Sequence, residues 1–262
     1  MITKIKKVFG RLRNFRIKRK IKKHEKVYCE GETRLKYYYV PHKKSDVLIV
    51  VFSGFPAKGK SAAYNMVATL EGVSANRLYI LDDFGYQNRG AYYLGENGEF
   101  SVRDAVLNFL KTFASHKTVF CGSSKGGTAA IYFGLLFGAD YVIAGAPQYY
   151  LGDYLTSEEA HVPIFEAMAG SVDPISIEKY NNILPKSIVS ACHSAKKPRF
   201  LIHYSPEEHT YPSHIFHMLN DLQQYEFVVE HDVQHYEKHS DVALYFPKLC
   251  REKILSILNE NA

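Results

Sequence analysis

Apolar and polar positions along this chain follow two rhythms. Short runs of β-branched and aromatic residues read as strands, and longer segments with apolar residues three and four apart read as helices. Residues 27–40 (VYCEGETRLKYYYV) read as a β-hairpin turning at Glu30-Gly31-Glu32. Residues 46–52 (DVLIVVF) are apolar almost throughout, the pattern of a central strand buried on both faces. Further strands are expected at 77–81, 118–121, 141–144, 199–204 and 225–230. Helices are expected at 64–70, 103–113, 128–137, 215–224 and 242–258. Strands alternating with helices predict βα units and a mostly parallel central sheet with helices on both faces. Residues 148–198 interrupt the rhythm with Tyr149, Tyr150, Tyr154, several acids and Pro163, Pro174 and Pro185, which predicts a small helical insertion over the sheet. One domain over residues 27–262 fits this order.

Residues 1–26 differ in kind. They carry twelve Lys and Arg against one Glu, so the overall charge of +6 conceals a strongly basic arm on an acidic body. Ile2, Ile5, Val8, Phe9, Leu12 and Phe15 recur at spacings of three and four, the pattern of a basic amphipathic helix. Such a helix can lie on an anionic membrane surface, pack on its own domain, or bind nucleic acid. No nucleic-acid module follows, so no nucleic-acid partner is expected. No apolar run reaches the roughly 20 residues that span a bilayer, and the arm has no apolar core of a secretory signal. Cys29, Cys121, Cys192 and Cys250 show no metal spacing and no close pair. A cytoplasmic protein is expected, peripheral at the inner face of the membrane if the arm meets lipid. No cofactor or metal is implied.

The sharpest chemical signal lies at residues 118–131 (TVFCGSSKGGTAAI). Gly122-x-Ser124-x-Gly126 falls between a strand and a buried helix, the context that makes G-x-S-x-G a nucleophile elbow. So tight a turn strains the serine backbone and needs glycine where neighbours would collide. It presents Ser124 Oγ at the sheet edge, with the Lys125 N–H and the helix N-terminus beside any developing oxyanion. Ser53-Gly54-Phe55, after an early central strand, would supply the second oxyanion donor from Gly54 or Phe55.

A rival motif overlaps that loop. Gly54-Phe55-Pro56-Ala57-Lys58-Gly59-Lys60-Ser61 matches G-x-x-x-x-G-K-[ST], the P-loop, with Asp82-Asp83 as a possible magnesium-holding strand end. Pro56 removes one phosphate-cradling N–H, and the P-loop leaves the elbow unexplained. A third reading keeps the hydrolase fold as a scaffold without turnover.

An elbow serine needs an acid and then a histidine downstream. His231, His235 and His239 fall between the last strand and the last helix. His239, directly before Ser240-Asp241 and that helix, is preferred as base, and His235 is second. The loop after residue 204 supplies Glu207 and Glu208, of which Glu208 is preferred as acid.

These residues resemble the α/β-hydrolase superfamily in strand order, elbow and tail. More narrowly, SGFPAKGKSAAYNM, LYILDDFGYQNRGAYYLGENGEF, CGSSKGG and HSDVALYF resemble bacterial capsular-polysaccharide biosynthesis proteins and the glycan O-acetylating component of the accessory Sec system. The resemblance runs from about residue 45 to 250. It implies a serine esterase or O-acyltransferase acting on glycan or acyl-ester substrate, with Ser124 as nucleophile, His239 as base and Glu208 as acid. The tyrosines at 92–93 and 149–154 are candidate stacking platforms for sugar rings.

Overall fold

The computed structural model of the chain describes residues 2–57, 59–113 and 116–260, with side chains from residue 13 onward. Strands β1 (Glu25–Glu30) and β2 (Thr33–Val40) form the expected hairpin. They are followed by β3 (Val47–Phe52), β4 (Asn76–Ile80), β5 (Lys117–Ser123), β6 (Tyr141–Gly145), β7 (Arg199–Tyr204) and β8 (Val229–Val233). Among the described residues these form one eight-stranded sheet in the order β1-β2-β4-β3-β5-β6-β7-β8. Pairing is antiparallel at β1–β2 and β2–β4 and parallel from β4 to β8. Every residue of β3 is buried, as its unbroken apolar run requires of a strand covered on both faces.

Helices α1 (Ile2–His24), α2 (Ser101–Lys111), α3 (Lys125–Phe137), α8 (Phe216–Gln224) and α9 (Val242–Asn259) flank the sheet. Phe120 of β5 stacks on Phe137 of α3 with ring centroids 5.5 Å apart, and Phe109 of α2 packs on Tyr28 and Tyr37 at 4.8 and 4.7 Å. Phe246 of α9 covers the opposite face, against His203 of β7 at 6.0 Å. The insertion between β6 and β7 folds into α4 (Leu151–Thr156), α5 (Val162–Ala169), α6 (Pro174–Asn181) and α7 (Ile183–Cys192). Pro163 and Pro174 sit in the first turns of α5 and α6, where a missing N–H costs nothing.

The C-terminal half of α1 rests on the domain. Ile17 is buried, and Arg13 and Arg16 reach Glu71 at 3.2 and 2.8 Å, while Phe15 points into solvent. The side chains of Ile2, Ile5, Val8, Phe9 and Leu12 lie outside the described residues. No helix among the described residues is long and apolar enough to cross a membrane.

Two elements differ from the periodicity. Residues 64–70 form successive turns instead of a helix, with Met66 in the left-handed region at φ 56°. Asn65 Oδ1 accepts the Gly54 N–H at 2.9 Å and the Arg77 guanidinium donates to Leu70 O at 2.6 Å, so side chains hold this segment in a non-helical path. The last strand begins at Val229 and not at 225. Residues 225–227 instead close α8: Phe227 N–H bonds Leu222 O, Glu226 N–H bonds Gln223 O, and Glu226 turns left-handed at φ 57°. This is a Schellman motif, with apolar residues at both ends of the closing bond.

Candidate active site

Ser124 sits between β5 and α3 with φ 54° and ψ −127°, a backbone that a non-glycine residue holds only at a cost of roughly 1–3 kcal/mol. The neighbouring glycines make the turn possible. A Cβ on Gly122 would come within 2.3 Å of Gly126 O, and one on Gly126 within 2.5 Å of Phe52 O. The elbow is fastened by Ser124 N–H to Gly145 O at 2.8 Å, and by Gly127 N–H and Thr128 N–H to Ser124 O.

His239 and Glu208 converge on this serine. His239 Nε2 lies 2.8 Å from Ser124 Oγ, and His239 Nδ1 lies 2.8 Å from Glu208 Oε1. Glu208 comes from the loop after β7 and His239 from the segment before α9, so the C-terminal ends of three parallel strands meet here. Glu208 is buried, with Thr210 Oγ1 also donating to Oε1 at 2.7 Å. Burial pushes its pKa up, but the hydrogen bonds from His239 and Thr210, with the charge that His239 carries when protonated, outweigh it and hold the carboxyl below its ordinary value. An ionised Glu208 only accepts, so Nδ1 of His239 carries the proton and Nε2 faces Ser124 as an acceptor.

The rejected neighbours pair separately. His235 Nδ1 meets Glu207 Oε1 at 2.9 Å in an exposed contact, and His231 Nδ1 meets the Tyr204 hydroxyl at 3.3 Å. Neither histidine is brought to Ser124.

Of the residues expected to supply oxyanion donors, Gly54 has its N–H held by Asn65 Oδ1 at 2.9 Å, Phe55 follows on the same loop, and Lys125 is the first residue of α3. Behind this loop Lys125 and Asp82 form a buried ion pair, Nζ to Oδ2 2.6 Å, with both side chains fully enclosed. Burial pulls the Lys125 pKa below its ordinary value despite the carboxylate. Asp82 is further satisfied by the N–H groups of Ala91 and Tyr93 at 3.0 and 3.1 Å, as a buried charge must be. Asp82 therefore ties the distinctive segment Ala91-Tyr92-Tyr93 to the elbow helix.

This arrangement removes the basis of the P-loop. Among the described residues, 54–57 and 59–70 contain no helix whose N-terminus could hold a phosphate, and Asp82 and Asp83 are paired with Lys125 and Lys36. Lys58 lies outside the described residues. Tyr92, Tyr93 and Tyr149 are buried too deeply to stack on a sugar. Tyr154 is buried as well and stacks on His161 at 5.3 Å, which in turn stacks on Phe55 at 6.3 Å. Among the described residues no three His, Cys, Asp or Glu side chains converge as a metal site.

One polar residue in the site escaped the sequence reading. Gln148 is completely buried, and its Nε2 lies 3.2 Å from Ser124 Oγ. Its position just past the end of β6, beside the nucleophile strand, is where sites form in parallel sheets and was the available signal.

No protein-family model matches the chain. It is 28% identical over 120 residues to an accessory Sec system protein of Staphylococcus aureus; the match takes in 44% of this chain and spans 22% of that longer protein. The capsule O-acetyltransferase of Neisseria meningitidis serogroup A superposes with a TM-score of 0.73 at 19% identity, over 87% of this chain and 93% of the other. FphF, a fluorophosphonate-binding serine hydrolase of Staphylococcus aureus, superposes with a TM-score of 0.60 at 13% identity, over 88% and 96% of the two chains. Sheet order, the strand–elbow–helix unit and these superpositions together identify the chain as a protein of the α/β-hydrolase fold.

Proposed function

We propose that the chain is a serine-dependent acyl-ester hydrolase or O-acyltransferase, with Ser124 as nucleophile, His239 as general base and Glu208 as the acid that orients it. The observation that carries this reading is the unbroken relay from Glu208 Oε1 through His239 to Ser124 Oγ, each link 2.8 Å, ending on a strained elbow. His239 takes the Ser124 proton as Oγ attacks the acyl carbon, and returns it to the departing oxygen as the donor ester bond breaks. In the second half an acceptor hydroxyl gives its proton to His239, bonds the acyl carbon, and the proton returns to Oγ as the acyl–Oγ bond breaks. Water as acceptor makes the protein an esterase, and a sugar hydroxyl makes it a transferase. The N–H groups of Lys125 and Phe55 receive the oxyanion, and losing one such donor costs about 3–4 kcal/mol.

The substrate we assign is cell-surface or capsular glycan. The support is the capsule O-acetyltransferase that superposes along nearly its whole length. Hydrolysis of p-nitrophenyl acetate by the full chain tests the reaction class: turnover is expected for wild type and lost in Ser124→Ala with the thermal melt unchanged. Equal turnover in the two puts the nucleophile elsewhere.

A further inference from the structure

Gln148 is built into the site with more care than a packing residue requires. Its backbone N–H donates to Thr128 Oγ1 at 2.8 Å, and its carbonyl accepts from the same hydroxyl at 2.9 Å, fixing it to α3. The Tyr92 hydroxyl donates to Oε1 at 3.2 Å, while Nε2 has Ala146 O at 3.5 Å. Ala146 O and the unprotonated His239 Nε2 can only accept, and the Ser124 hydroxyl gives its proton to His239, so the amide end facing the serine is the donor Nε2. Tyr92 reaches this position only through a left-handed backbone, φ 53°, in the segment that Asp82 holds. Nε2 thus points at Ser124 Oγ, 3.2 Å away, and stands 3.5 Å from His239 Nε2.

The sheet order says which reacting atom this donor serves. The loop after β3, with Phe55, lies on one side of the nucleophile strand β5, and the segment after β6, with Gln148, lies on the other. Gln148 is therefore across the serine from the oxyanion loop, on the side where His239 exchanges a proton with the leaving or entering oxygen. Resting on the assignment of Ser124 and His239 above, we propose that Gln148 is a further catalytic residue: its amide N–H holds Ser124 Oγ at rest and then the acceptor hydroxyl oxygen during deacylation. That hydroxyl gives its proton to His239 Nε2, accepts from Gln148 Nε2 through one lone pair and attacks the acyl carbon with the other. The acyl–Oγ bond then breaks and Oγ regains the proton from His239. Tyr92 acts as a positioning residue, keeping the donor end of the amide toward the serine.

An activated aryl ester separates the two halves, because p-nitrophenolate departs without a proton, so its acylation step has no leaving oxygen for Gln148 to hold. Wild type, Gln148→Met and Tyr92→Phe, each as the full chain, are mixed rapidly with p-nitrophenyl acetate. The burst reports acylation, steady turnover reports deacylation, and intact mass with peptide mapping reports acetyl on Ser124. The burst rate is expected to fall by less than the deacylation rate in both variants. Deacylation is expected to slow by about tenfold in Gln148→Met, the worth of one neutral hydrogen bond, and by less in Tyr92→Phe, so that acetyl-Ser124 accumulates. Deacylation at the wild-type rate in both variants, or an equal fall in burst and turnover, overturns the proposal. Wild-type protein that turns the ester over no faster than Ser124→Ala overturns the nucleophile assignment itself.

Discussion

Adjacent glutamates on one short loop end in opposite environments. Glu207 is half exposed and meets an exposed His235, whereas Glu208 is enclosed and meets the histidine that touches Ser124. Exposed pairs of the first kind contribute little, about 0–1 kcal/mol. The second fixes the imidazole tautomer, so removing its charge should be felt at the reacting atoms. Glu208→Gln is expected to lower kcat/KM for p-nitrophenyl acetate on the order of 10⁴-fold, as loss of the acid does in a serine-protease triad. Glu207→Gln is expected to leave it nearly unchanged, and the opposite order would exchange the two residues' roles. The sequence could not separate them, because two like residues side by side have the same local signal. Burial decides, and burial depends on how the Tyr236 loop closes over β7: Ser205 Oγ donates to Tyr236 O at 2.7 Å and receives the Tyr236 N–H at 3.0 Å. Gln148 was hidden for a related reason. A glutamine carries no catalytic signature until its partners are placed around it.

Elements whose signal is local were legible in the sequence. The elbow needed only a strand, three small residues and a helix, and β3 needed only its apolar run. The turns at 64–70 and the late start of β8 were not legible, since Asn65 is diverted by Gly54 and residues 225–227 by the end of α8. The segment leading into α8 carries a consequence for pH. His214, in the wide turn Tyr211–Ile215, is buried and accepts the Tyr150 N–H on Nδ1 at 3.2 Å. Burial, only partly opposed by Asp153 and Glu208, lowers its pKa to about 4. A histidine with a folded pKa below its unfolded one binds fewer protons when folded, so its contribution to stability rises with pH from about 4 to about 6.5 and is flat above. On acidification through that window the protein should lose about 3 kcal/mol from this group, and His214→Gln should flatten the decline in chemical-denaturation midpoints. An unchanged slope in the variant would contradict a neutral buried His214.

The molecule as a whole separates charge. A basic arm, residues 1–26 with a net charge of +11, is joined to a body that is acidic in sum. Its C-terminal half is anchored through Ile17 and the Glu71 pairs, which leaves Phe15, Lys18, Arg19 and Lys23 facing water. We propose that this face meets anionic lipid, which attracts each basic side chain near its surface by about 1 kcal/mol. The full chain should co-sediment with phosphatidylserine vesicles more than with phosphatidylcholine vesicles, and Phe15→Asp with Arg19→Glu and Lys23→Glu should abolish the difference. Equal sedimentation with both lipids would leave α1 as a helix packed on its own domain. Docking on its own domain was one of the readings the arm's pattern allowed, but its partner Glu71 was beyond the sequence, because it is far from the arm in the chain and nothing local marks the contact.

The central claim is that Ser124 is an activated nucleophile. The most direct measurement is fluorophosphonate labelling of the full chain, with the adduct mapped by peptide mass in wild type, Ser124→Ala and His239→Ala. Stoichiometric phosphonylation confined to Ser124, absent from Ser124→Ala and strongly slowed in His239→Ala, is the expected result. An unlabelled wild type, under conditions where a control serine hydrolase reacts fully, or an adduct on another residue, would contradict the account.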